Sequence, residues 1–570
     1  MLKRIEFNNY LKEIVRFNKK FPKRINLIGG DTETIKGKPY TLQLMNDKKS
    51  ELFFVNENNI TETFINYVKE NYDNRAFNVY FFHNLSFDLP IIFYGIMDRF
   101  LKNEFDYISL YDKYYIKVFC GKVYYANLFL LKEKKKSKLI KILDSASFIR
   151  KSLGSIAEEL NFDNKKMNSP NRLGEIKLTD DYFKEYAIND AVVENELGKY
   201  LTEIHREYDI PLTVSIAQLA QYIFRRKFMR DYKIKCPYAE IREASELSFH
   251  GGKNGFYLDK PCMIKDVYEI DVNSMYPYAM SELPNFVGGK YRKVYDLEQN
   301  YEGIYKVSGF LHKCKYPIIP KHDFSYDFGF IKNIWVTSYE LKEALRLKEI
   351  DIRDIEGYIY IENKRIKYNP IKEYVTYFYK LKCNTSPNNS KYLIIKLLLN
   401  SLYGKFIQNT EEETTDYKYN DYKNDIEPVI KTFRAGGLYN PFIATLITGY
   451  ARAYLHKLEH QFNALDSSTD SIKTIMNPET VINSEMGGLS IKTYGDCIFF
   501  RNKLYIHYGK DKTRYALHGF HGKLEDLERI WKTKDTRYTI KHMNKIKESF
   551  RQGLIPFTME EYNRKLHVDL

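Results

Sequence analysis

Apolar and polar residues change period several times along the chain, and the changes mark elements. RINLIGG, NVYFFH and YYIKVFCGKVYYANLFLL are short runs of alternating or continuous apolar residues, which predicts strands. SIAEEL and DYFKEYAINDAVVENELGKYL repeat at helical spacing, so residues 1–210 predict a mixed α/β unit. VYEIDVNSMYPYAM predicts a strand ending in Asp271, a tight turn, and a helix with Pro277 in its first turn, where a missing N–H costs little. KLLLNSLYGKF places Lys396, Asn400 and Tyr403 at i, i+4 and i+7, one stripe of a single helix, with Gly404 allowing close approach. STDSIKT sets Asp470 just before a strand, in the turn of a hairpin. The charged stretches at 132–138 and 411–425 have no apolar period and predict solvated loops.

Composition narrows the function classes. The 570 residues are 44% apolar and 16% aromatic, which excludes a disordered chain and leaves length for several cores. Lys and Arg number 89 against 74 Asp and Glu, so a net charge of +15 favours polyanionic partners such as nucleic acid. Cys120, Cys236, Cys262, Cys314, Cys383 and Cys497 are scattered, with no Cys-x-x-Cys pair and no histidine at finger spacing. That spacing argues against a disulfide scaffold and against a structural zinc site. No Walker-type loop is present, and GGKNG at 251–255 is only a Gly-rich turn. The apolar run LPIIFYGIM is too short to span a bilayer, which sets the expectation of a soluble, intracellular protein.

Two sets of carboxylates carry the chemistry. In INLIGGDTET, Asp31 and Glu33 are two apart on a strand and share a face. NVYFFHNLSFDLPII adds Asp88 beside Asn84 and Phe87, and YAINDAV adds Tyr186 and Asp190 at i and i+4 of a helix. Four acids from three segments could converge on two metal ions about 4 Å apart, the arrangement that activates water in phosphodiester hydrolysis. Tyr186 would orient that water. Asp271 and Asp470 form a second pair able to bridge two Mg²⁺ ions, beside a cation, an amide and a ring (Lys396, Asn400, Tyr403) suited to a nucleoside triphosphate.

In chain order, Asp-x-Glu, Asn-x-x-x-Asp and Tyr-x-x-x-Asp resemble the 3′→5′ exonuclease domain of family B DNA polymerases. The resemblance implies metal ligation by Asp31, Glu33, Asp88 and Asp190, contact of Thr34, Asn84 and Phe87 with the frayed 3′ end, and a contact of Ser145 with single-stranded DNA. It also implies a catalytic lysine, with Lys165 and Lys166 as the alternatives. Asp-x-x-Ser-Met-Tyr-Pro, Lys-x-x-x-Asn-Ser-x-Tyr-Gly and Thr-Asp-Ser look like motifs A, B and C of the same family. They imply catalysis by Asp271 and Asp470, a backbone metal ligand at Val272, and Tyr276 under the incoming sugar, excluding a 2′-hydroxyl. Motif C departs from the family because Ser468 stands for its first aspartate, and Asp496 in YGDC is the competing candidate for Asp470. A second phosphate-binding lysine is open among Lys391, Lys380 and Lys382, with Lys391 adjacent to the usual place. FHGG resembles the loop between the two domains, implying DNA contact at Gly251 and Gly252. TGYAR implies template contact at Thr448 and Arg452, and KLY implies primer contact at Lys503 and Tyr505.

The long segments between the motifs are similar to the two terminal-protein regions of protein-primed phage DNA polymerases. The expected fold is α/β and α+β multidomain: a ribonuclease H-like exonuclease domain (1–210) followed by a right-hand polymerase. The latter divides into palm (211–282 and 441–518), first terminal-protein region (283–368), fingers (369–408), second terminal-protein region (409–440) and thumb (519–570). The resemblance implies a replicative, strand-displacing enzyme using Mg²⁺ or Mn²⁺, two ions per site. It implies a monomer working on primer-template DNA and dNTPs with a terminal priming protein and a single-stranded DNA-binding protein, in the cytoplasm of an infected bacterium and with no membrane contact. Ser468 supports one alternative, a nuclease with weakened or lost polymerase activity.

Overall fold

The computed structural model describes residues 13–35, 37–94, 108–110, 114–120, 124–130, 138–168, 180–320, 328–408, 414–420, 425–431, 435–543 and 559–568. Its first large unit is an eight-stranded sheet in the order Ser50–Phe54, Lys38–Met45, Ile25–Ile35, Phe77–Phe82, Lys138–Asp144, Tyr124–Leu130, Tyr114–Cys120, Ile108–Leu110. The three central strands, Ile25–Ile35, Phe77–Phe82 and Lys138–Asp144, run parallel, and the rest are antiparallel. Phe77–Phe82 is apolar at nearly every position because, in mid-sheet, both its faces are covered.

The 27-residue helix Asp181–Glu207 starts at Asp180, whose carboxylate accepts from the Tyr182 amide at 3.0 Å. It seats directly on Ile25–Ile35 at Gly29, where a Cβ would stand 2.4 Å from the Asn195 nitrogen and 2.6 Å from the Ala191 oxygen. Only glycine allows that approach. The seating carries Tyr186 and Asp190 toward the strand that holds Asp31 and Glu33.

A second sheet of seven strands is built on Cys262–Val272. It lies between Ser471–Thr474 and Leu489–Arg501, with Asp466–Ser468 and Asn254–Phe256 beyond the first and Leu504–Gly509 and Thr513–Leu517 beyond the second. The helix Pro441–Gln461 packs against it with Pro441 in its first turn and Asn440 capping the Ile443 amide at 3.3 Å. Most of that helix is buried, so its polar residues must find partners inside the protein. One apolar core runs from Leu27 and Phe81 of the first unit through Ile270 and Phe378 to Phe442 and Leu446, joining the two sheets.

Residues 290–361 form a four-stranded sheet in the order Lys290–Val294, Ile350–Ile361, Glu302–Leu311, Gly329–Thr337, with the helix Ser338–Arg346 on it and a core of its own. Helices Pro370–Asn384 and Ser390–Ser401 stand side by side after it. Within the stretch 411–425, read as a loop, the described residues instead belong to a two-stranded sheet of Thr414–Asn420 and Asp425–Lys431. Tyr417 and Tyr419, two apart, give the first of these strand character that its charge had masked. Of the 132–138 stretch, only Lys138 lies within the described residues, opening the Lys138–Asp144 strand. Among the described residues, no helix is long and apolar enough to cross a membrane.

Candidate active sites

The first carboxylate set comes together as its spacing predicts. Asp31, Glu33 and Asp190 offer oxygens all within 4.8 Å of one another. Asp88, in the first turn of helix Leu85–Ile92, is buried and accepts from the Thr32 amide at 3.1 Å and the Thr32 hydroxyl at 2.9 Å. Burial and mutual repulsion hold Asp31 well above the usual carboxylate range. Burial pushes Glu33 up to about 7, against an opposing hydrogen bond from Tyr186, and pushes Asp88 up to about 8. Asp190 is also raised by burial, offset by Lys166. Hard carboxylate oxygens crowded this closely fit Mg²⁺ or Mn²⁺, whose charge would relieve the repulsion.

The lysine alternative resolves by geometry. Lys166 Nζ bonds Asp190 Oδ2 at 2.5 Å, whereas Lys165 Nζ donates to the Ala157 carbonyl at 3.0 Å on the far side of its own loop. Asn84 is exposed at a left-handed φ of 66°, with its amide fixed by Asp144 at 2.9 Å, and Phe87 and Thr34 are half-buried beside the acids. Ser145 departs from its expected contact with single-stranded DNA. It is fully buried, with its hydroxyl 2.9 Å from His83 Nδ1 and 3.4 Å from the Phe82 carbonyl, so it braces His83 from inside. Sequence reading missed Glu194, one helical turn beyond Asp190 and buried near Asp144 and Asp88. The i, i+4 step from Asp190 was the available signal.

In the second sheet, the Asp466–Ser468 and Ser471–Thr474 hairpin turns at Thr469, at φ 59°, and presents Asp470 beside Asp271. The Val272 amide donates to the Asp470 carbonyl at 2.9 Å, locking the turn to the end of the Asp271 strand, which runs one residue further than read. Burial raises both carboxyls, Asp271 to about 6 with repulsion from Asp470 contributing. Asp496 is excluded as the partner: it sits on Leu489–Arg501, where its carboxylate accepts from the Asp266 amide, five residues up the strand from Asp271. Lys492, which sequence reading missed, ion-pairs with Asp271.

Tyr403 lies beyond the end of helix Ser390–Ser401, in a short 3₁₀ turn, and so is not on the helical stripe with Lys396 and Asn400. The turn lays its ring on Tyr276, centroids 4.3 Å apart and planes 7° from parallel. Lys396 and Asn400 are exposed on the helix. Lys391 departs from its phosphate-binding role by pointing away to Glu207 at 3.2 Å. Lys382 is the lysine turned inward, donating to the Ser274 hydroxyl at 3.1 Å and close enough to Lys396 and Asp271 to feel both charges.

Gly251 is exposed, while Gly252 is pressed between Thr469 and Tyr276. Thr448 and Arg452 were expected on the template, yet both are buried. Arg452 Nε bonds Glu340 at 2.8 Å and its Nη1 bonds the Gly251 carbonyl at 2.9 Å, so it positions the Gly-Gly loop from behind. Lys503, at φ 54°, tops the hairpin leading into Tyr505, and the Lys473 ammonium covers the Tyr505 ring at 3.6 Å.

The layout, a parallel-centred sheet with four clustered acids followed by a second sheet with Asp271 and Asp470, is the exonuclease-plus-polymerase fold of family B DNA polymerases. Residues 177–437 match the family model described as DNA polymerase type B, organellar and viral. Phi29 DNA polymerase in complex with primer-template DNA and incoming nucleotides superposes at a TM-score of 0.72, with 15% identity, over 95% of this chain and all of that one. Its post-translocation complex with primer-template DNA gives 0.71 at 16% identity over the same shares. A probable DNA polymerase of Neurospora intermedia is 27% identical over 261 residues, 41% of this chain and 25% of that protein. A DNA polymerase of Acidianus bottle-shaped virus is 24% identical over 381 residues, 63% and 52% respectively. The chain thus spans from a quarter to about half the length of these two relatives. It shares the fold of phi29 DNA polymerase, and its residues 177–437 match the organellar and viral type B DNA polymerase model.

Proposed function

We propose that this chain is a DNA-directed DNA polymerase with a 3′→5′ proofreading exonuclease, started by a terminal priming protein and advancing with strand displacement. The observation that carries the reading is the joining of Asp271 and Asp470 through the Val272–Asp470 backbone bond, directly beneath the stacked Tyr276 and Tyr403. Divalent cations bound by these carboxylates, with the Val272 carbonyl, would supply a lowered pKa for the primer 3′-hydroxyl and neutralise the triphosphate. Lys382 and Lys396 bind phosphates, the Tyr276 ring carries the deoxyribose and shuts out a 2′-hydroxyl, and Gly251, Gly252, Lys503 and Tyr505 hold the primer strand.

At the other site Asp31, Glu33, Asp88 and Asp190 hold the cations, Tyr186 orients the water, and Asn84, Phe87 and Thr34 receive the unpaired 3′ end. The domain division given above belongs to this proposal. The segments 283–368 and 409–440 are its two holds on the priming protein.

A second reading, a nuclease with a weakened polymerase, is favoured by Ser468 in motif C and by the Lys492 ammonium on Asp271. Extension and trimming of a primed template with Mg²⁺ and with Mn²⁺ separate the two. Asp470→Ala should abolish extension and keep trimming, and Asp31→Ala the reverse. Wild type that only trims under both metals would establish the second reading.

A further inference from the structure

Behind the polymerase site, where the 290–361 sheet meets the helix Pro441–Gln461, two histidines and a glutamate converge. His456 Nε2 lies 3.0 Å and His460 Nε2 3.5 Å from Glu349 Oε1, and one donor atom from each of the three lies within 4.8 Å of the others. Ligands bound tetrahedrally to Zn²⁺ at about 2.0–2.1 Å stand about 3.3 Å from one another, so these spacings are those of a zinc shell. Glu349 is 6% exposed, and its ion-pair partners within 4.0 Å, among the described residues, are the two histidines. Its neighbours differ: Glu459 holds Lys253 and Glu343 holds Arg346. A buried carboxylate facing imidazoles is stabilised only when positive charge joins it.

His456 Nδ1, buried and without a hydrogen bond, lies 3.7 Å from the Glu343 carboxylate, the kind of group toward which a metal-ligating histidine turns its other ring nitrogen. The Tyr316 ring packs edge-on against His460 at 4.9 Å. The Cys314 thiol hydrogen-bonds Glu349 at the edge of the cluster.

We infer that Glu349, His456 and His460 form a Zn²⁺ site that fastens the 290–361 sheet to the long helix Pro441–Gln461. His456 to His460 spells H-x-x-E-H, a spacing used by zinc hydrolases. Here Glu459 is fully buried, bonded by Lys253 and by the Tyr257 hydroxyl at 2.8 Å, so no base is free and the site is structural. Its reach extends to catalysis, because the Lys253 carbonyl accepts from the Thr469 amide at 2.8 Å beside Asp470. Its ligands come from positions 349, 456 and 460, which explains why finger spacing did not reveal it.

The test uses the full chain, stripped with chelator and titrated with Zn²⁺ in excess Mg²⁺, which competes at the carboxylate sites. Wild type should retain about one equivalent, and His460→Ala, at a partly exposed position that tolerates truncation, should weaken binding at least about tenfold. With Co²⁺ as the probe, the visible d–d absorption of the bound ion should appear in wild type and be lost in His460→Ala at the same Co²⁺ concentration. Wild type that retains no Zn²⁺, or His460→Ala that retains it as tightly as wild type, would overturn the assignment.

Discussion

The ammonium of Lys492 rests on the carboxylate of Asp271, in the place a divalent cation would need. With Ser468 in motif C, the site also has one carboxylate fewer than the family B pattern it resembles. Lys492 therefore competes with metal for Asp271. Lys492→Ala should lower the Mg²⁺ concentration for half-maximal extension about tenfold, since about 1.4 kcal/mol of lost competition has that effect. Ser468→Asp should act in the same direction. Metal titrations of primer extension decide: an unchanged Mg²⁺ requirement with a raised KM for dNTP would make Lys492 a phosphate ligand instead.

The face-to-face contact of Tyr276 with Tyr403 predicts how the site tells sugars apart. Each ring holds the other flat, which under the proposed function gives a rigid floor beneath the 2′ carbon. Tyr276→Ala should cost about 1–3 kcal/mol of stability as a half-buried ring is lost, and should raise ribonucleotide incorporation at least about tenfold. Tyr403→Phe keeps the stacking and should leave selectivity near wild type. Competition between dNTP and rNTP in single-nucleotide extension reads both effects.

Much of this arrangement was legible in the chain because strand and helix periods are local. Asp31 and Glu33 share a face by alternation, Tyr186 and Asp190 by the i, i+4 step, and the apolar run around Phe81 marks a strand covered on both sides. What the sequence left open depends on burial and on partners far away. Arg452 and Ser145 carry residue types that suit DNA, yet the packing of Glu340 and His83 turns them inward. Lys382 and Lys391 are equivalent as letters, and only the helix pair decides that one faces Ser274 and the other Glu207. Lys492 lies 221 residues from Asp271 and had no local signal at all.

Gly252 gives a sharper mechanical prediction. A Cβ there would stand 2.7 Å from Thr469 Cγ2 and 2.8 Å from the Tyr276 hydroxyl oxygen, pressing on the Asp470 turn and the sugar platform together. Gly252→Ala should cost about 1–3 kcal/mol by overpacking and reduce extension at least about tenfold while trimming is unaffected. Gly251→Ala, where nothing lies within 4 Å, is the control for folding and should unfold at the wild-type temperature. Thermal unfolding with paired extension and trimming assays would check this; equal losses of stability in both variants would refute it.

The carboxylates of Asp31, Glu33, Asp88 and Asp190 make stability depend on pH when no metal is bound. Burial lifts Glu33 to about 7 and Asp88 to about 8, and Asp31 and Asp190 are raised as well, above an unfolded value of about 4. Between about pH 4 and 8 the native protein then binds more protons at this site than the unfolded chain, so this contribution to stability falls as pH rises. Chelator-treated protein should show a Tm that drops between pH 5 and 8, and Mg²⁺ added at pH 8 should restore much of the loss. Asp31→Asn removes one of the crowded charges and should stabilise the chelated protein at pH 8 by about 1–2 kcal/mol, flattening the pH dependence at the cost of trimming. Comparing the two proteins cancels titration elsewhere in the chain, and parallel Tm profiles would show that these four acids are not the source.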